Sequence, residues 1–105
     1  FIAVFDAVRY LFDEQYIYDF PDYNVTAAIS LGIKNDKVLL DLDYSEDSTV
    51  DVDFNLVMND KMEFIEVQGT AEGQAFKKEK LVELLNIGQK GILDLIDMQK
   101  KILNL

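Results

Sequence analysis

The chain has 105 residues, half of them apolar, with one Pro and no Cys, His or Trp. That length holds one domain with a core and excludes a disordered or collagenous chain. The missing residue types exclude disulfides, Cys or His nucleophile systems and the common zinc sites, so any chemistry rests on carboxylates, hydroxyls, Lys, Tyr or an oxygen-bound metal.

The net charge is −10 and unevenly spread: residues 76–105 carry six Lys against four acids, and residues 1–75 carry four bases against sixteen acids. An acidic surface repels phosphates, so the chain taken alone is not expected to hold RNA or DNA. No apolar run reaches the roughly 18 residues of a membrane helix. The apolar start has no basic residue before it and does not read as a signal peptide. Absence of Cys is compatible with the cytoplasm.

A helical pattern is already running at Phe1 and extends to about Gln15. Phe1, Ile2, Val4, Phe5, Val8, Leu11 and Phe12 cover more than one stripe, as in a helix buried on several sides. No capping residue precedes it, so the chain reads as a piece of a longer polypeptide cut at or just inside a helix start. Residues 16–24 are aromatic, and Pro21 directs them to a packed loop. Four strand-like segments follow. Val25–Ile33 and Lys37–Asp43 flank the turn signal Lys34-Asn35-Asp36; Val50–Met58 and Met62–Gly69 alternate around Asn59-Asp60-Lys61. From about Phe76 the period is helical, with Leu81, Leu84, Leu85, Gly88, Ile92, Leu95, Ile96 and Ile102 on one face. Gly88 on that face predicts a close backbone approach, whereas Gly91 predicts a bend. The order α-β-β-β-β-α predicts an α+β fold with helices on one face of a mostly antiparallel four-stranded sheet, without an internal repeat or domain boundary.

The densest polar stretch, residues 41–53, holds five Asp and one Glu. Residues two apart on a strand share a face. Asp51, Asp53 and Asn55 therefore oppose Val50, Val52, Phe54, Leu56 and Met58, and Asp47 joins the acidic face if its approach is extended. Carboxylates gathered this way repel unless protons or a cation compensate, and Mg²⁺ held by one or two carboxylates plus substrate phosphates is a natural occupant. The alternative is a solvated acidic face. A calcium-binding EF-hand loop is rejected, because Glu46 stands where Gly is required and Val52 where Glu is required. A second feature, Phe64–Gly73, runs a strand into a glycine-bounded turn before a helix. Its glycines supply backbone freedom, or the turn cradles a phosphate; neither GxGxxG nor a Walker pattern is present.

These stretches together resemble ribonuclease PH, a phosphate-dependent 3′-to-5′ exoribonuclease family. The likeness is carried by Leu40-Asp41-Leu42-Asp43-Tyr44, Glu46-Asp47-Ser48, Asp53-Phe54-Asn55-Leu56-Val57-Met58 and Phe64 to Gly73, with the closing helix around Gly91-Ile92. The first helix, with Asp6-Ala7-Val8-Arg9, is similar to the one that follows that family's phosphate-binding loop. The resemblance implies the C-terminal half of a ribonuclease PH domain (ribosomal protein S5 domain 2-like), with residues 1–105 as one partial domain.

It also implies phosphorolysis, in which inorganic phosphate attacks the terminal phosphodiester of RNA and releases a nucleoside diphosphate, as in tRNA 3′-end processing; the reverse reaction is nucleotidyl transfer. Asp47 and Asp53 are the implied catalytic and Mg²⁺-binding carboxylates, with Asp51 as a subsidiary metal ligand and Asp41 and Asp43 supporting. The family's Gly-Thr-Arg phosphate loop is absent from these residues and is expected upstream of Phe1. So are the arginines that grip RNA. Phe54 stands where the family's motif has Met. The resemblance further implies a cytoplasmic homo-oligomer, a ring of dimers, acting on RNA through a basic half or a second chain. The alternative is a non-catalytic scaffold piece with the same fold; a simple cation-binding domain using residues 41–53 is the third reading.

Overall fold

The computed structural model describes residues 1–105, the side chain of Asp47 excepted. Its elements are α1 (Ile2–Asp13), β1 (Thr26–Lys34), β2 (Lys37–Leu40), α2 (Tyr44–Asp47), β3 (Val52–Asn59), β4 (Phe64–Ala71) and α3 (Lys78–Leu103). The strands form one antiparallel sheet in the order β2-β1-β3-β4. The predicted α+β architecture is the one observed, with the one-turn α2 added between β2 and β3.

Alternation explains the layering. Ala27, Ile29, Leu31 and Ile33 of β1 and Val52, Phe54, Leu56 and Met58 of β3 are buried together with Leu84, Ile92 and Ile96 of α3. One sheet face is therefore packed against α3. A Cβ on Gly88 would lie 2.8 Å from Leu56 Cδ2, and one on Gly91 would lie 2.8 Å from Ile29 Cδ1. Both glycines let the helix backbone settle on the sheet, so Gly91 is a close-approach residue like Gly88 and not a hinge. Leu103 is buried near the helix end, and Ile102, assigned to the core face by the sequence pattern, is 64% exposed. Small angular errors accumulate over a 26-residue helix and shift its final turn off the predicted stripe. Polar ties hold α3 along the sheet: Lys80 Nζ donates to Asp36 O at 2.6 Å, Gln99 Nε2 donates to Thr26 O at 3.1 Å, and Lys100 pairs with Asp60 at 3.0 Å.

The turns follow their residues. Asn35 and Asp36 both take positive φ, 49° and 63°, as a two-residue type I′ hairpin requires. Buried Asn59 closes the β3–β4 turn, its Oδ1 accepting from the Lys61 and Glu63 N–H groups and its Nδ2 donating to Glu63. At the other end of the chain, α1 stops at Asp13 because Gln15 has φ 60°. Phe5 is its one buried residue, enclosed by the rings of Phe1, Phe20 and Tyr23. Burial on several sides is not observed: Val4, Tyr10, Leu11 and Phe12 are exposed, since the aromatic loop covers one side only. With α1 standing away from the sheet, the radius of gyration is 17.0 Å, against about 13 Å for a compact chain of this length.

Candidate active site

The sheet face opposite α3 is open, and the acidic stretch lies against it. Asp53 is the second residue of β3, flanked by the inward-pointing Val52 and Phe54. Its register partners are Gly32 of β1 and Thr70 of β4. The neighbouring row across the same face is Ser30, Asn55 and Gln68, and the row after it is Ala28, Val57 and Glu66.

Gly32 explains how the loop before β3 is seated. A Cβ there would come within 2.8 Å of Val50 Cγ1 and 3.0 Å of Leu42 Cδ1. These two side chains close over the glycine on the outer face, and Lys34 Nζ donates to Thr49 Oγ1 at 2.8 Å. The segment between Leu42 and Val50 is thus anchored beside Asp53, across the strand from it. Asp47 belongs to that segment as the last residue of α2. Its backbone is helical, so the extended approach that would give it the parity of Asp53 is not formed; its side chain lies outside the described residues.

Strand parity groups Asp51 with Asp53, and the structure separates them. The ladder is irregular at Asp51: its N–H donates to Ile33 O, while its C=O accepts from Glu72 N–H. β3 begins one residue later, and Asp51 Oδ2 instead accepts from the Asn35 N–H at 3.0 Å, bracing the β1–β2 turn. Asp41 lies just past β2 at φ 57°, its N–H donating to Ser30 O.

Asp43 caps α2. Its Oδ1 accepts from Glu46 N–H at 2.8 Å and Ser45 Oγ at 2.7 Å, and Glu46 Oε2 accepts from the Asp43 N–H. The signal for this turn was present in the sequence as Asp43-x-x-Glu46, a capping box hidden within an acidic run. The bond from Glu46 N–H, then that from Ser45, holds the Asp43 carboxyl below the ordinary aspartate value. A depressed folded-state pKa means that the cap's contribution is fully present above the unfolded value and is lost as pH falls through the folded one. The Glu46 amide resonance is accordingly expected to titrate below about pH 4, and to lose that titration in Asp43→Asn. An unchanged titration in the variant would contradict the capping role.

Gly69 is a register partner of Phe54 within β4, and a Cβ there would lie 2.8 Å from the Phe54 ring. No glycine among the described residues has positive φ. Gly69 thus provides room for an aromatic ring, which corrects the expectation of backbone freedom. Electrostatically, the open face is acidic except at its β1–β2 end, where Lys34 shares the face of Gly32 and donates to Thr49. The ion pairs among the described residues lie elsewhere, at Arg9–Asp6, Lys80–Asp36, Lys80–Glu83 and Lys100–Asp60, leaving Asp41, Asp53 and Glu66 without a cation. Among the described residues, no three acidic side chains gather closely enough to cage a metal ion.

Residues 24–91 match the sequence profile of the 3′ exoribonuclease family, domain 2. The chain belongs to this family. The match spans β1 through the first half of α3 and contains the whole acidic stretch, so the resemblance read from the motifs holds at the level of the family, as the C-terminal half of a ribonuclease PH-like domain. The fold is similar to that of rice (Oryza sativa) Rrp46, with a TM-score of 0.67 and 19% identity over 78% of this chain and 38% of that one. It is also similar to a chain of an archaeal exosome core, with a TM-score of 0.65 and 17% identity over 79% of this chain and 36% of that one. The exoribonuclease-family chain described here therefore spans well under half the length of either. Among its described residues, no helix is long and apolar enough to cross a membrane.

Proposed function

We propose that this chain is the carboxylate-bearing half of a phosphorolytic 3′-to-5′ exoribonuclease acting on RNA 3′ ends such as those of tRNA, with Asp53 and Asp47 as the working pair. The observation that supports this reading is the packing of Leu42 and Val50, which bracket Asp47 in the chain, over Gly32, the register partner of an unpaired Asp53 on an open sheet face.

The donor chemistry fits Mg²⁺. Oxygen ligands alone are available, and a hard cation that keeps waters and substrate phosphates needs only one or two carboxylates, not an enclosed cage. Asp53 and Asp47 would hold it, with Asp51 left at the hairpin turn that its carboxylate braces. Bound there, the ion supplies charge neutralisation at the transferring phosphoryl group. In the reaction, an oxygen of inorganic phosphate bonds to the terminal phosphorus, the bond from that phosphorus to the preceding ribose 3′ oxygen breaks, and a proton reaches that oxygen. Asp53 and Asp47 orient the phosphoryl group or hand over the proton. The 105 residues contain no Gly-Thr-Arg and one Arg, so the phosphate and RNA grip comes from the rest of the protein or from a second chain. The exosome context of the structurally similar proteins supports a ring-forming subunit.

The test is product identity. The complete protein, given RNA and inorganic phosphate, is expected to release nucleoside diphosphates, and residues 1–105 alone are expected to release none. The same exosome context favours the second reading, a non-catalytic ring subunit. RNA left intact by the complete protein in phosphate and Mg²⁺ would establish that alternative.

A further inference from the structure

One polar side chain on the open face is fixed in place. Asn55 follows Asp53 by two positions and shares its face, with Ser30 and Gln68 as register partners. The Ser30 hydroxyl donates to Asn55 Oδ1 at 3.0 Å in a half-buried setting. With its oxygen engaged, the amide keeps its Nδ2 donor free of any hydrogen bond among the described residues. Asn55 also lines a shallow groove of about 340 Å³ together with Ser30, Asp41, Val57 and Glu66.

Charge indicates what such a donor serves. The ionisable groups lining the groove are the carboxylates of Asp41 and Glu66, with Asp53 one row away. A phosphoryl group drawn towards Asp53 by a metal would face carboxylates on its remaining oxygens. A neutral donor already in position offsets that repulsion without reorganising. Gln68 and Thr70 are exposed, whereas Asn55 is half-buried and held. Along a strand, two residues advance roughly 7 Å, which one phosphoryl group bonded at both ends can span.

We propose that Asn55, held by Ser30, donates a hydrogen bond to a phosphoryl oxygen of the ligand that Asp53 binds. The proposal rests on the reading of Asp53 given above and deepens it. Asn55 is a ligand-contacting residue, and Ser30 is a positioning residue that acts through it. The phosphoryl oxygen belongs either to inorganic phosphate or to the nucleotide end, and two arms of one experiment distinguish these.

The ¹⁵N-labelled complete protein is titrated with inorganic phosphate or with ADP, each in excess Mg²⁺, while the Asn55 side-chain NH₂ pair is followed; the pair is identified by its loss in Asn55→Ala. The pair is expected to shift saturably. A shift with ADP alone assigns the nucleotide end, and one with inorganic phosphate alone assigns the attacking group. Asn55→Ala and Ser30→Ala are each expected to weaken binding roughly tenfold. Ser30→Thr, which keeps the hydroxyl, is expected to restore it. An Asn55 pair that stays still while the Gly32 and Thr70 amides beside Asp53 respond would overturn this proposal and leave the Asp53 reading standing. Silence at all three would overturn both. Equal weakening in Ser30→Thr and Ser30→Ala would overturn the positioning role.

Discussion

Replacing Phe54 by Ala is expected to destabilise the fold by about 3–5 kcal/mol, measured as a lower urea midpoint at unchanged slope. Phe54 is 1% exposed and pairs in register with Leu31 of β1 and Gly69 of β4. Its ring occupies the space that a Gly69 side chain would need. Truncation would leave a hole that the sheet backbone cannot close, because β3 is paired on both sides. Small domains have total stabilities of about 5–15 kcal/mol, so the loss is a large share of what holds the chain folded. Phe54→Met, close in volume and apolar, is expected to cost less than about 1.5 kcal/mol. Since Phe54 lies between Asp53 and Asn55 and points to the opposite face, its packing also sets where those two project. A loss below about 1 kcal/mol in Phe54→Ala would show that the ring is not the filler described.

The second large effect is on activity. In the complete enzyme, Asp53→Asn is expected to lower phosphorolytic turnover by about 100-fold or more, the scale of losing a group that stabilises developing charge. Asp97→Asn, on an exposed position of α3, is expected to leave turnover near wild type. Asp53 is half-exposed and unpaired, so its loss should change stability by no more than roughly 0.5 kcal/mol. A rate deficit with an intact fold separates a chemical role from a structural one. Equal turnover in the two variants would remove Asp53 from the active site.

Much of this fold was legible in the sequence because strand alternation is a strict two-residue code. Val52, Phe54, Leu56 and Met58 point inward as their spacing requires, and Asp53 and Asn55 point outward. The reading failed where backbone and side chain depart from that code. Asp51 sits at an irregular ladder position, and hydrogen bonding to the Asn35 N–H decides its direction. Asp43 to Asp47 form a helical turn because a capping box offers more local hydrogen bonds than an extended approach. Gly32 and Gly69 mark close contacts with Leu42, Val50 and Phe54, long-range neighbours that no local pattern reveals. The fixing of Asn55 by Ser30 depends on strand register across 25 positions, and register is set by the whole sheet.

The central claim is that this chain carries a preformed carboxylate site at Asp53, and metal-dependent stability tests it most directly. A ligand bound only by the native state raises the melting temperature. At saturating Mg²⁺ the chain is expected to melt about 5 °C higher or more, while Asp53→Asn melts at the same temperature with and without the ion. If Mg²⁺ leaves the wild-type melt unmoved, or raises both proteins equally, Asp53 does not form a metal site in this chain.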